Sequence, residues 1–388
     1  MKNPLDLLAD TLQSLTSSNG HQDGDIHTRL AALRGRTQRK YAQTTRAVLM
    51  VNLGSPDAPT PEAVKPYLNE FLMDERVIDV PLWTRKLLVQ GIILNVRPKK
   101  SAKAYSKIWW DEGSPLIVLT QRLMAKLQPK LDMPLEIGMR YGNPSIESAM
   151  RRLTESYPNL KEVFLLPLYP HYAMSSYETV VVKAREVQEA HFPQLKLSVQ
   201  PPFFNEEAYL DALTDRIRPH VQAGFDHFLF SYHGIPERHV KKSDPTQCHC
   251  LKVDNCCEVA SVAHAVCYRH QVMETSHKVA AKLGMSPDQY TVCFQSRLGP
   301  DPWLKPATDD TLERLGRQGV KNLKVVCPAF VSDCLETLEE IGMEGKESFQ
   351  EAGGGEFTLI PCLNDQSAWV KVLAGMVKRH FAQAKVSA

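Results

Sequence analysis

Six short apolar, β-rich runs punctuate the chain: "AVLMVNLGSP" (47–56), "LEIGMRYGNP" (135–144), "EVFLLPLYPHY" (162–172), "HFLFSYHGIP" (227–236), "LKVVCPAF" (323–330) and "FTLIPCLN" (357–364). Each runs into Gly, Pro or Asn, the pattern of a buried strand meeting a loop. Between several of them lie stretches with helical spacing, such as "SPLIVLTQRLMAKLQPKL" (114–131) and "SIESAMRRLTESY" (145–157). Strand and helix in alternation, with runs apolar on both faces, predict an α/β fold of parallel sheets covered by helices. No repeat at solenoid spacing is present, and a second subdomain similar in plan to the first is expected. Leu5, Leu8, Leu12 and Leu15 fit one amphipathic helix, followed by a polar linker to about Thr45.

In parallel sheets ligands bind beyond the carboxyl ends of the strands. Those ends carry the unusual residues here: Asn52 and Ser55, Arg140 and Tyr141, Tyr169 and His171, His233, and Cys327. No G-x-G-x-x-G or Walker A sequence follows a strand, so phosphate cradling is not expected.

Composition narrows the class of protein. A chain of 388 residues builds one large or two ordinary domains, and 43% hydrophobic with 23% charged residues is ordinary for a globular protein. A net charge of +2 offers no global field for nucleic acid. No apolar run reaches the roughly 18 residues of a membrane span, and the N-terminus lacks a signal-peptide pattern. Cytoplasmic residence is expected, with nine cysteines that are free or metal-bound.

His233 ends an apolar strand, where an imidazole either caps the strand or faces the crevice as a proton acceptor. In "VSDCLETLEEIGMEGKE" (331–347), Asp333 and Glu336 fit a capping box. Glu336, Glu340 and Glu344 also stand four residues apart, stacking carboxylates along one helical face. Such a row suits either a solvated face or a divalent cation in transit. Trp109, Trp110, Tyr141, Tyr169, Tyr172 and Trp303 supply flat side chains for the crevice walls. The segment "QCHCLKVDNCCEVASVAHAVCYRHQ" (247–271) holds Cys248, Cys250, Cys256, Cys257 and Cys267. Four thiolates from one loop suit a [2Fe–2S] cluster or tetrahedral zinc, the latter with His249 or His264 helping.

Five blocks carry a family resemblance: "VNLGSPDAPTPEAVKPYLNEFL" (51–72), "LPLYPHYAMSSYET" (166–179), "FSYHGIPERH" (230–239), "FQSRLGPDPWLKPATDDTL" (294–312) and "CPAFVSDCLETLEEI" (327–341). In that order they resemble ferrochelatase, over about residues 46 to 380. The resemblance implies two Rossmann-like, chelatase-type domains with a cleft between them. One spans 46–170, with a C-terminal helix at 366–384 packing back onto it; the other spans 171–365 and includes the cysteine insertion at 247–271. Residues 1–45 form an N-terminal extension. It further implies insertion of Fe2+ into protoporphyrin IX to give protohaem, with coproporphyrin III, cobalt or nickel chelation, or a non-catalytic carrier as alternatives.

By the same resemblance, His233 accepts a pyrrole proton or handles the metal together with Glu336, and Glu340 is the next acid along the helix. Arg140 and Tyr141 match the pair that meets the macrocycle and its propionate side, while Leu53, Tyr169 and Trp303 line the porphyrin slot. Cys334 replaces the histidine of animal members, and Met174 stands where those carry an internal cluster ligand. A cluster held within the insertion resembles a bacterial subclass, with Cys248, Cys250, Cys257 and Cys267 as expected ligands and Cys256 as substitute. Peripheral membrane contact is expected at an apolar lip near Leu82, Trp83, Leu87 and Leu88.

Overall fold

The computed structural model describes residues 26–297, 299 and 301–386. Eight strands form two four-stranded parallel sheets. The first contains β1 (Arg46–Ser55), β2 (Leu135–Gly142), β3 (Glu162–Pro167) and β4 (Lys196–Val199), in the order β2-β1-β3-β4. The second contains β5 (His227–His233), β6 (Tyr290–Gln295), β7 (Asn322–Val326) and β8 (Glu356–Leu359), in the order β6-β5-β7-β8. The second sheet therefore repeats the plan of the first, as the hydrophobic pattern led us to expect. β4 and β6 are additions to the six expected strands, and the last run is strand only to Leu359.

Both faces of each sheet are buried, which is why the strands read as continuous apolar runs. Along β1, Val48 and Met50 face a core shared by the whole molecule, whereas Ala47, Leu49 and Val51 face a cluster under the helices Ile146–Ser156 and Thr179–His191. β5 alternates in the same way, with Phe228, Phe230 and Tyr232 in the shared core and Leu229 on the outer side. Phe203, Tyr209 and Trp369 knit the two halves: Trp369 lies 5.7 Å from Phe203 and 6.1 Å from Tyr209 between ring centroids. Aromatic pairs of this kind contribute about 0.5–1.5 kcal/mol beyond their buried area. The C-terminal helix Ser367–Val386 returns to the first sheet, where His380 stacks on Phe164 of β3 at 4.0 Å.

The amphipathic helix expected around Leu5 to Leu15 lies outside the described residues. The linker expected to run to Thr45 is instead helical over Ile26–Lys40. Ile26, Leu30 and Leu33 form a narrow apolar stripe that packs into the shared core. Arg34 fixes the helix further through two bonds to Glu136, at 2.9 and 2.6 Å. A stripe this thin among so many basic and polar residues resembles a solvated segment until the partner groove is known.

The strand order places the site. Chains leaving β1 and β3 run to opposite sides of the first sheet, as do those leaving β5 and β7 in the second. Such switch points leave a crevice at the carboxyl ends. Leu53 stands near the end of β1 and Tyr169 just after β3, while His233 ends β5 and Glu336 follows β7.

Candidate active site

His233 is the last residue of β5 and is only partly buried. Its Nδ1 lies 2.6 Å from the Gly234 carbonyl oxygen. A carbonyl only accepts, so Nδ1 carries the proton and Nε2 keeps its lone pair. Burial pushes the His233 pKa below the usual histidine value, with the Glu336 charge and the Gly234 bond pulling back. The imidazole is therefore neutral at neutral pH and ready to accept a proton. Gly234 is required at the next position, because a Cβ there would come within 2.7 Å of the Gln295 carbonyl and 3.3 Å of the Trp303 ring. Trp303 thus packs directly beside the strand end, and Phe330 lies 6.3 Å from the His233 ring.

The expected capping box at Asp333 and Glu336 does not form. The Asp333 N–H donates to Asn364 Oδ1 at 2.9 Å, and the Asp333 carboxylate accepts from Thr337 Oγ1 and Asn364 Nδ2 at 3.0 and 2.7 Å. Thr337, not Glu336, is the local partner, so the Glu336 side chain is released from capping. The helix that follows is a π-helix over Glu336–Gly345, not the α-helix that the sequence suggested. Ten residues of π-winding far exceed the usual single-turn bulge, and such windings concentrate at functional sites.

Along this helix the carboxylates grade from cleft to solvent. Glu336 and Glu340 are partly buried and Glu344 is exposed. Glu340 accepts from Ser296 Oγ at 2.6 Å. Burial, reinforced by the Glu336 charge and opposed by the Ser296 bond, raises its pKa to about 7. Glu339 turns the other way and pairs with Lys107 at 2.5 Å, binding the π-helix to the helix Leu94–Ile108 of the other lobe.

The opposite wall brings Leu53, expected there, together with Tyr67 and Tyr105, which sequence reasoning missed. With Ser55 they face Leu335 and Glu336 across a narrow pocket. Burial raises both tyrosine pKa values and the Glu336 charge adds to the rise, so both stay protonated as hydrogen-bond donors. They stand on helices among apolar neighbours, where nothing in sequence separates them from core tyrosines. Tyr169 is partly exposed, yet its hydroxyl oxygen is buried without a hydrogen-bond partner. Gly54 is fixed by geometry, with φ +110° and the Tyr141 carbonyl 1.8 Å from where a Cβ would be.

Arg140 and Tyr141 lie farther from solvent than a direct ligand role suggests. Tyr141 is fully buried and donates to Asp74 Oδ2 at 2.8 Å. Arg140 reaches the same oxygen at 2.5 Å and Thr179 Oγ1 at 2.7 Å, and Thr179 also donates to Asp74. Burial alone would raise Asp74, but these bonds, that of the Arg76 N–H and the Arg140 charge hold it below the usual carboxylate range. Asp74 is thus a buried anchor for Arg140 that no motif announced.

In the cysteine loop the thiols of Cys250, Cys256, Cys257 and Cys267 lie close enough to influence one another, Cys267 acting on Cys250 and Cys257, and Cys256 on Cys257. The neighbouring Cys267 thiol and then burial push the Cys257 thiol up. The Leu251 N–H points at Cys256 Sγ at 3.4 Å, and Arg269 Nη1 lies 3.6 Å from the sulfurs of Cys256 and Cys257. Cys248 is exposed and is not among these contacts. Asp244 holds the loop through the N–H groups of His249 and Cys250, both at 2.9 Å. His249 and His264 both turn Nε2 to the Cys256 carbonyl, at 2.7 and 2.8 Å. Among the described residues no three His, Cys, Asp or Glu side chains are arranged around a single metal ion.

The chain is similar to known proteins along most of its length. The family model described as Ferrochelatase matches residues 45–381. The chain is 51% identical over 338 residues to a ferrochelatase of Stutzerimonas stutzeri, covering 87% of this chain and 98% of that one. It is 50% identical over 337 residues to a ferrochelatase of Azotobacter vinelandii, covering 86% and 99%. A ferrochelatase of Opitutus terrae is 49% identical over 336 residues, covering 86% and 97%.

Proposed function

The chain belongs to the ferrochelatase family, a family of metal chelatases, and we propose that it inserts Fe2+ into protoporphyrin IX in the crevice between His233 and Leu53. One observation carries the reading: an imidazole whose Nδ1 is tied to Gly234 leaves Nε2 as a free base beside the Glu336 charge.

The reaction exchanges two pyrrole N–H protons for one Fe2+. The neutral His233 Nε2 takes one proton from the macrocycle, the charge of Glu336 stabilises the imidazolium that forms, and once that proton has passed to the acid row and solvent the imidazole takes the second. Glu336, Glu340 and Glu344 offer Fe2+ a descending row of hard oxygen ligands from solvent to the crevice. A carboxyl with a pKa of about 7, as at Glu340, exchanges metal and proton near neutrality. Trp303 and Leu53 bound the slot, and the unpartnered Tyr169 hydroxyl gives it a polar contact. Arg140, held by Asp74 and Thr179, supplies fixed positive charge toward the propionate side, with Tyr141 beneath it. Anaerobic incubation with Fe2+ and either protoporphyrin IX or coproporphyrin III, followed by absorbance, tests the reaction and its substrate together. Turnover of coproporphyrin III alone would replace the substrate named here.

The donor set of the cysteine loop fits a [2Fe–2S] cluster. A [2Fe–2S] cluster takes four thiolates, and four thiols stand near one another in this loop. N–H donors aimed at sulfur are already in place from Leu251 and Arg269. Cys250, Cys256, Cys257 and Cys267 would hold the group, Cys256 taking the place first given to Cys248. A bound cluster supplies a coloured, redox-capable centre that ties a polar loop together.

Among the described residues no helix is long and apolar enough to cross a membrane. Leu82, Trp83, Leu87, Ile92 and Val96 nonetheless form an exposed apolar lip, with Trp83 71% accessible. This lip supports peripheral contact with a membrane, the phase into which an apolar porphyrin partitions. Sedimentation with phospholipid vesicles, lost in Trp83→Ser with Leu87→Ser, tests it.

A further inference from the structure

Tyr268 takes no part in the proton and metal steps above, yet it reaches the residue at their centre. Its hydroxyl donates to the His233 carbonyl at 2.8 Å. The tyrosine is buried, and its ring packs edge-on against His171 at 6.1 Å. The peptide group joining His233 to Gly234 is thereby held at both ends, because the Gly234 N–H donates to the Gln295 carbonyl at 2.7 Å. Pairing between β5 and β7 stops at Phe230 and Val326, short of His233. A side chain thus supplies the donor that this carbonyl needs where pairing with β7 has ended.

This peptide matters because of what is built on it. The imidazole is oriented by Nδ1–H on the Gly234 carbonyl, which belongs to the next peptide along, so the ring follows the backbone on both sides of Gly234 Cα. Residue 234 is a glycine by steric necessity, and a glycine offers little resistance to rotation of its own. The hydroxyl belongs to the first residue of the helix Tyr268–Leu283, whose N-cap residue is Cys267. The Cys267 thiol in turn meets Cys250 and Cys257.

We infer that Tyr268 is a positioning residue for His233: its hydroxyl fixes the His233–Gly234 peptide, from which both the imidazole and its Gly234 carbonyl partner extend, and fastens that peptide to the helix that begins at the cysteine loop. The inference rests on His233 being the proton acceptor. It adds that the cysteine loop has a direct mechanical route to that acceptor, through one residue and one hydrogen bond.

Tyr268→Phe removes a single oxygen and keeps the ring. The expected result is a fall in kcat of about ten- to hundredfold, as small misplacements of reacting groups produce, with the porphyrin KM within about twofold of its starting value. In protein labelled with 15N-histidine, the His233 imidazole signals, assigned by their loss in His233→Ala, should shift or broaden. Ser276→Ala is the control. It lies on the same helix and removes the partner of the Tyr232 hydroxyl at 2.8 Å, so it should lower Tm while leaving kcat and the His233 signals in place. Unchanged His233 signals in Tyr268→Phe, or an equal kcat loss in Ser276→Ala, would overturn the inference. If His233→Ala itself turns over normally, the proton-acceptor reading falls, and the labelled signals still decide whether Tyr268 positions the ring.

Discussion

At the scale of single residues, the chemistry depends on which proton sits where. His233 presents a free Nε2 only because Nδ1–H is occupied by the Gly234 carbonyl. His233→Ala should keep the circular dichroism of the parent and lose chelation by about a hundredfold to ten-thousandfold, the usual worth of a general base. A folded variant with near-normal turnover would remove His233 from the mechanism. Glu340 gives a second residue-level test, through pH. Its carboxyl is raised to about 7 in the folded chain from an ordinary 4.5. The folded state therefore binds the proton more tightly than the unfolded one, and stability falls as pH rises between those values. Glu340→Gln removes that cost while keeping an oxygen for Ser296. The variant should melt with its parent at about pH 4 and above it at about pH 8, and a pH-independent difference would contradict the assignment. His233 and the acid row could be found from sequence because they interrupt or repeat a pattern. Tyr67, Tyr105 and Asp74 could not, since each sits in an otherwise ordinary helical or turn context and acquires its role only through contacts across the fold.

Among elements, local pattern shows what forms and fails to show how it is wound. The runs that became β1, β2, β3 and β5 were legible because both faces are apolar. β4 was not, since "KLSV" is short and only half-buried, as an edge strand is. The π-winding from Glu336 to Gly345 has no sequence signature of its own, so the acid row was read on the wrong helix. Its functional reading gains from the change: Asp333 bonds to Thr337 and Asn364, and Glu336 is left to the cleft. Glu336→Gln should therefore lose most chelation with little change in Tm, and an early-melting but active variant would return the residue to a structural role. The cysteine loop is the other element in which sequence left several answers open. Five thiols were legible there, but only the fold distinguishes the exposed Cys248 from the four that meet. Anaerobically purified protein should be coloured, with about two irons per chain. Cys256→Ser and Cys267→Ser should bleach it and lower Tm, while Cys248→Ser keeps the colour. Colourless protein with one zinc would put a structural zinc site in its place.

At the scale of the whole molecule, two sheets of one plan face a common crevice, and neither lobe holds the site alone. The second lobe brings His233 and the acid row; the first brings Leu53, Tyr67, Tyr105 and the Asp74–Arg140 pair. Ion pairs such as Lys107–Glu339 and Arg238–Asp79, at 2.5 and 2.6 Å, span the lobes. None of these long-range pairings was legible in the chain, because partners more than a hundred residues apart leave no local pattern. What was legible is the alternation that makes the sheets and the strand ends at which chemistry collects. The central claim is that this crevice performs a reaction and does not merely hold a tetrapyrrole. The most direct measurement is an anaerobic time course of Fe2+ with a large excess of protoporphyrin IX over protein, followed by the decay of free-base porphyrin absorption. Conversion of many porphyrins per chain to haem, abolished in His233→Ala, is the predicted result. A porphyrin spectrum perturbed only in proportion to protein, with no haem formed, would contradict it and leave a carrier.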